Sequence, residues 1–169
     1  MWNKDEKIVE LLNTHYNLEL AAANMYIHYS SVANKLGYTY TSEFLKVMAD
    51  DKIEAHLSRI YDYFTDLDLE IKVNQNSIPR SYDSKTVHDI FKEMLNYELY
   101  LRKHIHHIAD YALSIKDYET FEFIQWFIRD AIKDVGDIDD VLTYVDTPNS
   151  SMLTIETSIR RKTKEYNKQ

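Results

Sequence analysis

Glu19, His56 and Glu98 interrupt largely apolar helical stripes, each near the middle of its run. Glu19 falls in the stripe Leu12, His15, Glu19, Ala22, Tyr26, Tyr29, Ala33, Leu36. His56 falls in Leu45, Ala49, Ile53, His56, Ile60, Tyr63, Leu67, and Glu98 in Val87, Phe91, Met94, Glu98, Leu101, Ile105, Ile108, Ala112. If the runs pack up and down, their midpoints share one height and the three side chains meet in the interior. A lone buried carboxylate is costly unless it is paired or metal-bound. Two carboxylates and an imidazole suit a divalent iron or manganese ion. They suit equally a metal-free network in which a protonated His56 bridges the two glutamates and Tyr26 donates a hydrogen bond.

A pair of iron ions in a helical bundle asks for Glu-x-x-His on two helices and one Glu on each of the others. Here the second helix reads Ile53-Glu54-Ala55-His56, so the carboxylate three residues before His56 is missing. Glu54 stands two before it, about 160° off the stripe. The fourth run, with stripe Phe121, Ile124, Ile128, Ala131, Val135, Ile138, Leu142, Val145, has neither the motif nor an ionisable member. By spacing alone this is a damaged metal site.

The elements that must position these residues are long helices. The chain of 169 residues has two Gly, two Pro and no Cys, which favours uninterrupted helices and excludes disulfides and thiolate metal sites. Helices are expected over about 4–36, ended by Gly37, then 42–67, 85–114 and 118–144. Thr41-Ser42 offers caps for the second. A linker over about 68–84, containing Asn74, Gln75, Asn76, Pro79 and Ser81, has the length of one bundle crossover. After Pro148 a shorter helix over about 149–166 carries Met152, Ile155 and Ile159 on one side and a basic end. The expected fold is all-α: a four-helix bundle (about 4–145) with one long crossover and a short fifth C-terminal helix, forming a single domain over 1–169. A net charge of −8 argues against nucleic-acid binding and is compatible with handling cations. The absence of a secretory segment or an 18-residue apolar run points to a cytoplasmic protein without a membrane partner.

The segments Asn17-Leu18-Glu19-Leu20 with Tyr26, Arg59-Ile60-Tyr61-Asp62-Tyr63-Phe64-Thr65-Asp66, Asp117-Tyr118-Glu119-Thr120-Phe121 and Gln125-Trp126 resemble the bacterial non-haem ferritins. The likeness covers about residues 5–145. It implies a hollow shell of twenty-four identical subunits that stores ferric iron, with Fe(II) oxidised at a paired-iron ferroxidase centre inside each bundle. Carried over by position, Glu19, His56 and Glu98 stand at family ligand positions, and Tyr26 at that of a tyrosine beside the centre. The family's bridging glutamate falls on Ile53, the glutamate before it on Lys52, and its fourth-helix glutamine on Ala131. Further acidic ligands fall on Asp130, Lys133 and Asp134. The position two before His56, where haem-binding relatives carry a methionine, is Glu54, so no haem is expected.

Asp130, Asp134 and Asp137 form a ladder on the fourth helix, as do Asp50, Asp51 and Glu54 on the second. Each is a solvated face or, in a shell, a surface that nucleates mineral. Asp117, Glu119 and Glu122 are candidates for an ion channel at a threefold axis. His104, His106 and His107 read as an exposed or subunit-contact cluster. The expectation is therefore an iron-storage shell with an impaired or lost ferroxidase centre. Its candidate metal ligands are Glu19, His56, Glu98, Asp134, Asp130 and Glu54, with Tyr26 in a catalytic role. Two alternatives are an active ferroxidase with a rearranged site and a non-catalytic subunit that co-assembles with an intact ferritin.

Overall fold

The computed structural model describes residues 2–74 and 84–168; the linker positions Gln75, Asn76, Pro79 and Ser81 lie outside them. All regular structure among the described residues is helical. It comprises α1 (Glu6–Lys35), α2 (Thr39–Asp51), a π-helical turn (Lys52–Leu57), α3 (Ser58–Asp66), α4 (Val87–Ser114), α5 (Tyr118–Asp146) and α6 (Met152–Tyr166). The π turn and α3 continue α2 without a break, so α1, α2–α3, α4 and α5 make four bundle helices with α6 added at one end. No described helix is long and apolar enough to cross a membrane.

The helix starts follow from side-chain acceptors for their unpaired N–H groups. Asp5 Oδ1 accepts from the Lys7 and Ile8 amides, Thr86 caps α4, Asp117 caps α5 and Ser151 caps α6. The second bundle helix departs from expectation: it begins at Thr39, so Thr41 lies inside it and is buried. Its first turn has no cap from its own sequence. Instead Glu156 of α6 accepts from the Tyr40 amide at 2.9 Å, the Thr41 amide at 2.8 Å and the Thr41 hydroxyl at 2.8 Å. A carboxylate at a helix N-terminus also meets the positive end of the helix dipole.

The apolar stripes fill the interior as two clusters. One contains Tyr26, Phe44, Phe91, Ile138, Ile155, Ile159 and Tyr166; the other contains Ile8, Leu12, Ile60, Phe64, Ile108 and Phe127. Because Ile155, Ile159 and Tyr166 belong to the first, α6 is part of the core. Gly136, inside α5, is exposed, and a Cβ built there meets nothing within 4 Å. The chain leaving α3 is held along α1: Asn13 exchanges hydrogen bonds with Glu70 O and Lys72 N, and Asn17 with Lys72 O and Asn74 N. Glu19, Lys52, His56, Glu98 and Asp134 are buried along with these clusters.

Candidate metal centre

The π turn decides which residues of the second helix face inward. A π turn advances less per residue than an α turn, so positions i and i+4 align on one face while i+3 rotates off it. Lys52 and His56 are the aligned pair. Lys52 is 1% exposed, whereas Ile53 is 45% exposed and Glu54 is also at the surface. The expected stripe through Ile53 is therefore wrong by one position, and Glu54 is no part of the centre.

The Lys52 ammonium sits among carboxylates from three helices. Its Nζ lies 2.8 Å from Glu98 Oε1 on α4, 3.1 Å from Glu19 Oε2 on α1 and 3.4 Å from Asp134 Oδ2 on α5. Tyr26, also buried, donates its hydroxyl to Glu98 Oε1. Burial alone would favour loss of the lysine proton. The charges of Glu19, Glu98 and Asp134 outweigh it and hold the Lys52 pKa well above the ordinary value. Glu19 responds in the opposite sense: burial would raise it, but His56 and Lys52 hold it well below the carboxylate range. Burial, opposed by Lys52 and reinforced by Glu98 and Asp130, raises Asp134 to about 7.

His56 links this cage to a second group. Its Nδ1 is 3.0 Å from Glu19 Oε1, while Nε2 is 2.8 Å from Asp130 Oδ2, 3.4 Å from Asp51 Oδ2 and 3.8 Å from Asp134 Oδ2. Burial disfavours the imidazolium, yet Glu19, with Asp130 and Asp51, overrides burial and Lys52 and raises its pKa well above the ordinary value. The bridge therefore runs from Glu19 to Asp130, not between Glu19 and Glu98. Asp51, His56, Asp130 and Asp134 each offer one ligand atom, and these atoms lie within 4.8 Å of one another. His56 Nε2, Asp130 Oδ2 and Asp134 Oδ1 are buried without a well-directed hydrogen bond. One imidazole and three carboxylates gathered this closely form a donor set that fits a single divalent cation.

The sequence thus located Glu19, Tyr26, His56, Glu98, Asp130 and Asp134 in one region, but it missed Lys52 and Asp51. It also read α5 as lacking an inward ionisable residue, whereas Asp134 is buried. The acidic ladders are not bare solvated faces: Asp51, Asp130 and Asp134 turn to His56, Asp137 lies between Lys133 and Lys162, and Asp50 pairs with Lys46. His15, fully buried, brings Nε2 to 3.2 Å from Glu19 Oε1 and stacks on His104, which contacts Leu11 O. So His104 is a packing partner under the centre. Asp117 caps α5 and is paired with Lys4 at 2.6 Å. The signal available in the sequence was Lys52 itself, a cation beside two mid-bundle glutamates that needed a partner.

A family model described as the ferritin-like domain matches residues 9–147. An uncharacterized protein of Ureaplasma parvum is 28% identical over 159 residues, covering 94% of this chain and 92% of its own. A bacterial non-heme ferritin of Campylobacter jejuni is 27% identical over 125 residues, 74% of each chain. Among solved structures, M. penetrans ferritin superposes with a TM-score of 0.92 at 39% identity, covering 95% of this chain and 98% of that one.

Proposed function

Because the chain belongs to the ferritin-like family, we propose that it is the subunit of an iron-storing shell whose paired-iron centre is filled by its own ammonium. The observation that carries this reading is Lys52 Nζ at 2.8–3.4 Å from Glu98, Glu19 and Asp134. A cation entering that space must displace a buried ammonium whose pKa is already raised. Ile53, where the family places the bridging carboxylate, faces outward and supplies none. Two ions at bonding distance need such a bridge against their mutual repulsion.

What remains is one site, made by Asp51, His56, Asp130 and Asp134. His56 must lose its proton to ligate, so binding expels a proton and weakens as pH falls. A single Fe(II) yields one electron, whereas reduction of dioxygen to peroxide takes two. Oxidation at a lone site is therefore slower than at a pair, and the centre contributes little fast ferroxidase activity. Tyr26 and Glu98 serve the ammonium cage in this reading. The subunit acts as one domain in a cytoplasmic homo-oligomer, of twenty-four copies by family resemblance, and takes iron as its cargo without haem.

Anomalous scattering from crystals soaked in Fe(II) tests the reading. One ion per subunit, against His56 and Asp130 with Lys52 in place, is expected. Two ions between Glu19, His56 and Glu98 would overturn it.

A further inference from the structure

The two ring nitrogens of His56 have different partners. Nδ1 is 3.0 Å from Glu19 Oε1, a hydrogen bond between two buried side chains. Nε2 faces the other way, toward Asp130 Oδ2 at 2.8 Å, Asp51 Oδ2 at 3.4 Å and Asp134 Oδ2 at 3.8 Å. The cation site takes only one nitrogen of the ring, so the partner of the other decides which one is offered.

Aromatic neighbours set the plane of the ring. Trp126 meets it nearly at right angles with centroids 5.1 Å apart, and Phe127 does so at 5.7 Å. Packing of this kind fixes the plane but not the edge. A half-turn about the Cβ–Cγ bond leaves the ring in the same slot and puts carbon where each nitrogen was. Hydrogen-bonding partners alone tell the two orientations apart. Of these, Glu19 is the better anchored. Its Oε1 also lies 3.2 Å from His15 Nε2, and its Oε2 lies 3.1 Å from Lys52 Nζ. The Asp51 and Asp130 side chains keep 30% and 15% of their accessibility, so they adjust to the ring and do not direct it. With Oε1 between two imidazoles and Oε2 on an ammonium, neither oxygen of Glu19 is left for an ion.

We propose that Glu19 is a positioning residue and not a ligand: its carboxylate accepts the Nδ1 proton of His56 and so presents Nε2 to the cation. The inference rests on the single-cation reading above. A histidine ligand whose other ring nitrogen donates to a carboxylate is held in one tautomer and one orientation. Removing such a carboxylate lowers metal affinity by about 10–100-fold.

The test uses the assembled protein and Mn(II), which is stable in air and counted by electron paramagnetic resonance. Glu19→Ala is expected to weaken Mn(II) binding by about 10–100-fold. The control is Glu98→Ala, which takes an equal charge from beside Lys52 and leaves the hydrogen bond between Glu19 and His56 in place. It should weaken binding far less. Electron–nuclear double resonance supplies a readout that a packing role alone does not move. Mn(II) should carry a directly bound imidazole nitrogen in the wild type and in Glu98→Ala. In Glu19→Ala the share of bound Mn(II) with that coupling should fall, because the ring is free to turn a carbon edge to the ion. Equal affinity losses in the two variants overturn the proposal, as does wild-type affinity in Glu19→Ala. Anomalous scattering from wild-type crystals soaked in Mn(II) needs no variant to fold. It should place the ion on His56 Nε2, with Glu19 still on Nδ1. One ion bonded to Asp130 and also to Glu19 overturns this proposal and spares the single-cation reading. A wild type that binds no Mn(II) at all removes that reading, and this inference with it.

Discussion

Replacing Lys52 with glutamate is the perturbation that the ammonium cage makes most informative. At an effective dielectric near 20, contacts of 2.8 and 3.1 Å are each worth about 5–6 kcal/mol before desolvation. Desolvation of the ions cancels most of that. Removing one partner of a buried pair costs about 3–5 kcal/mol, because the remaining charges are left uncompensated. Lys52→Glu adds a fourth acid, so the metal-free subunit should take up protons and lose at least this much. At about 2–4 °C per kcal/mol for a chain of this size, the melting temperature should fall by about 6–20 °C. Mn(II) at one hundred times its dissociation constant then restores about 2.7 kcal/mol per site. Bound Mn(II) should rise from one to two per subunit, and stopped-flow Fe(II) oxidation should gain a fast phase. Lys52→Met, which removes the cation without adding a ligand, should show the destabilisation and no second ion. Ile53→Glu is the contrasting control. Residue 53 is the one that alignment nominates as the missing bridge, yet its side chain is exposed, so the change should fall within about 0.5 kcal/mol of neutral. If Ile53→Glu gains the second ion and Lys52→Glu does not, the inward register of the π turn is wrong.

Three further outcomes follow from other contacts. Asp134, raised to about 7 when folded, binds a proton in the native state that the unfolded chain releases near 3.9. Its contribution is fully present below about pH 4 and is lost as pH rises toward 7; Asp134→Asn should flatten thermal stability between pH 5 and 7 relative to wild type. Glu156→Ala leaves the Tyr40 and Thr41 amides and the Thr41 hydroxyl without their acceptor. It should cost about 2–3 kcal/mol by calorimetry and raise hydrogen exchange in α6 and the first turn of α2 together. Gly136→Ala, with open space around the added Cβ, should stabilise by about 1 kcal/mol, and an unchanged or lower melting temperature would point to a contact at that position in the assembly.

Much of this arrangement is legible in the sequence. Apolar stripes at helical spacing place Glu19, His56 and Glu98 at one level, because stripe position and helix direction together fix height within a bundle. Direction around the helix axis is harder to read. An unbroken α-helix from Ser42 onward brings Ile53 inward, and nothing in Lys52-Ile53-Glu54-Ala55-His56-Leu57 announces that the turn widens to π geometry. The widening exposes an isoleucine and buries a lysine, the reverse of what residue type suggests, and it is tolerable because Glu19 and Glu98 need a cation. Asp134 was missed for a related reason. It follows Ala131 by three positions and so shares its face, but a stripe drawn only through apolar residues passes it by. The role of Glu156 was hidden altogether, since it joins residues more than one hundred positions apart.

Lysine and glutamate codons differ only in their first base. A single transition in the codon for residue 52 would therefore turn the resident cation into a carboxylate at the same inward position. The step runs equally well in reverse, and the surrounding Glu19, Tyr26, His56 and Glu98 need not change for either. A bundle with a lysine there carries its counter-charge in the polypeptide and can fold on the ribosome's schedule, whatever the supply of metal. A lineage that met metal scarcity and plenty in turn could exchange the two forms through one nucleotide.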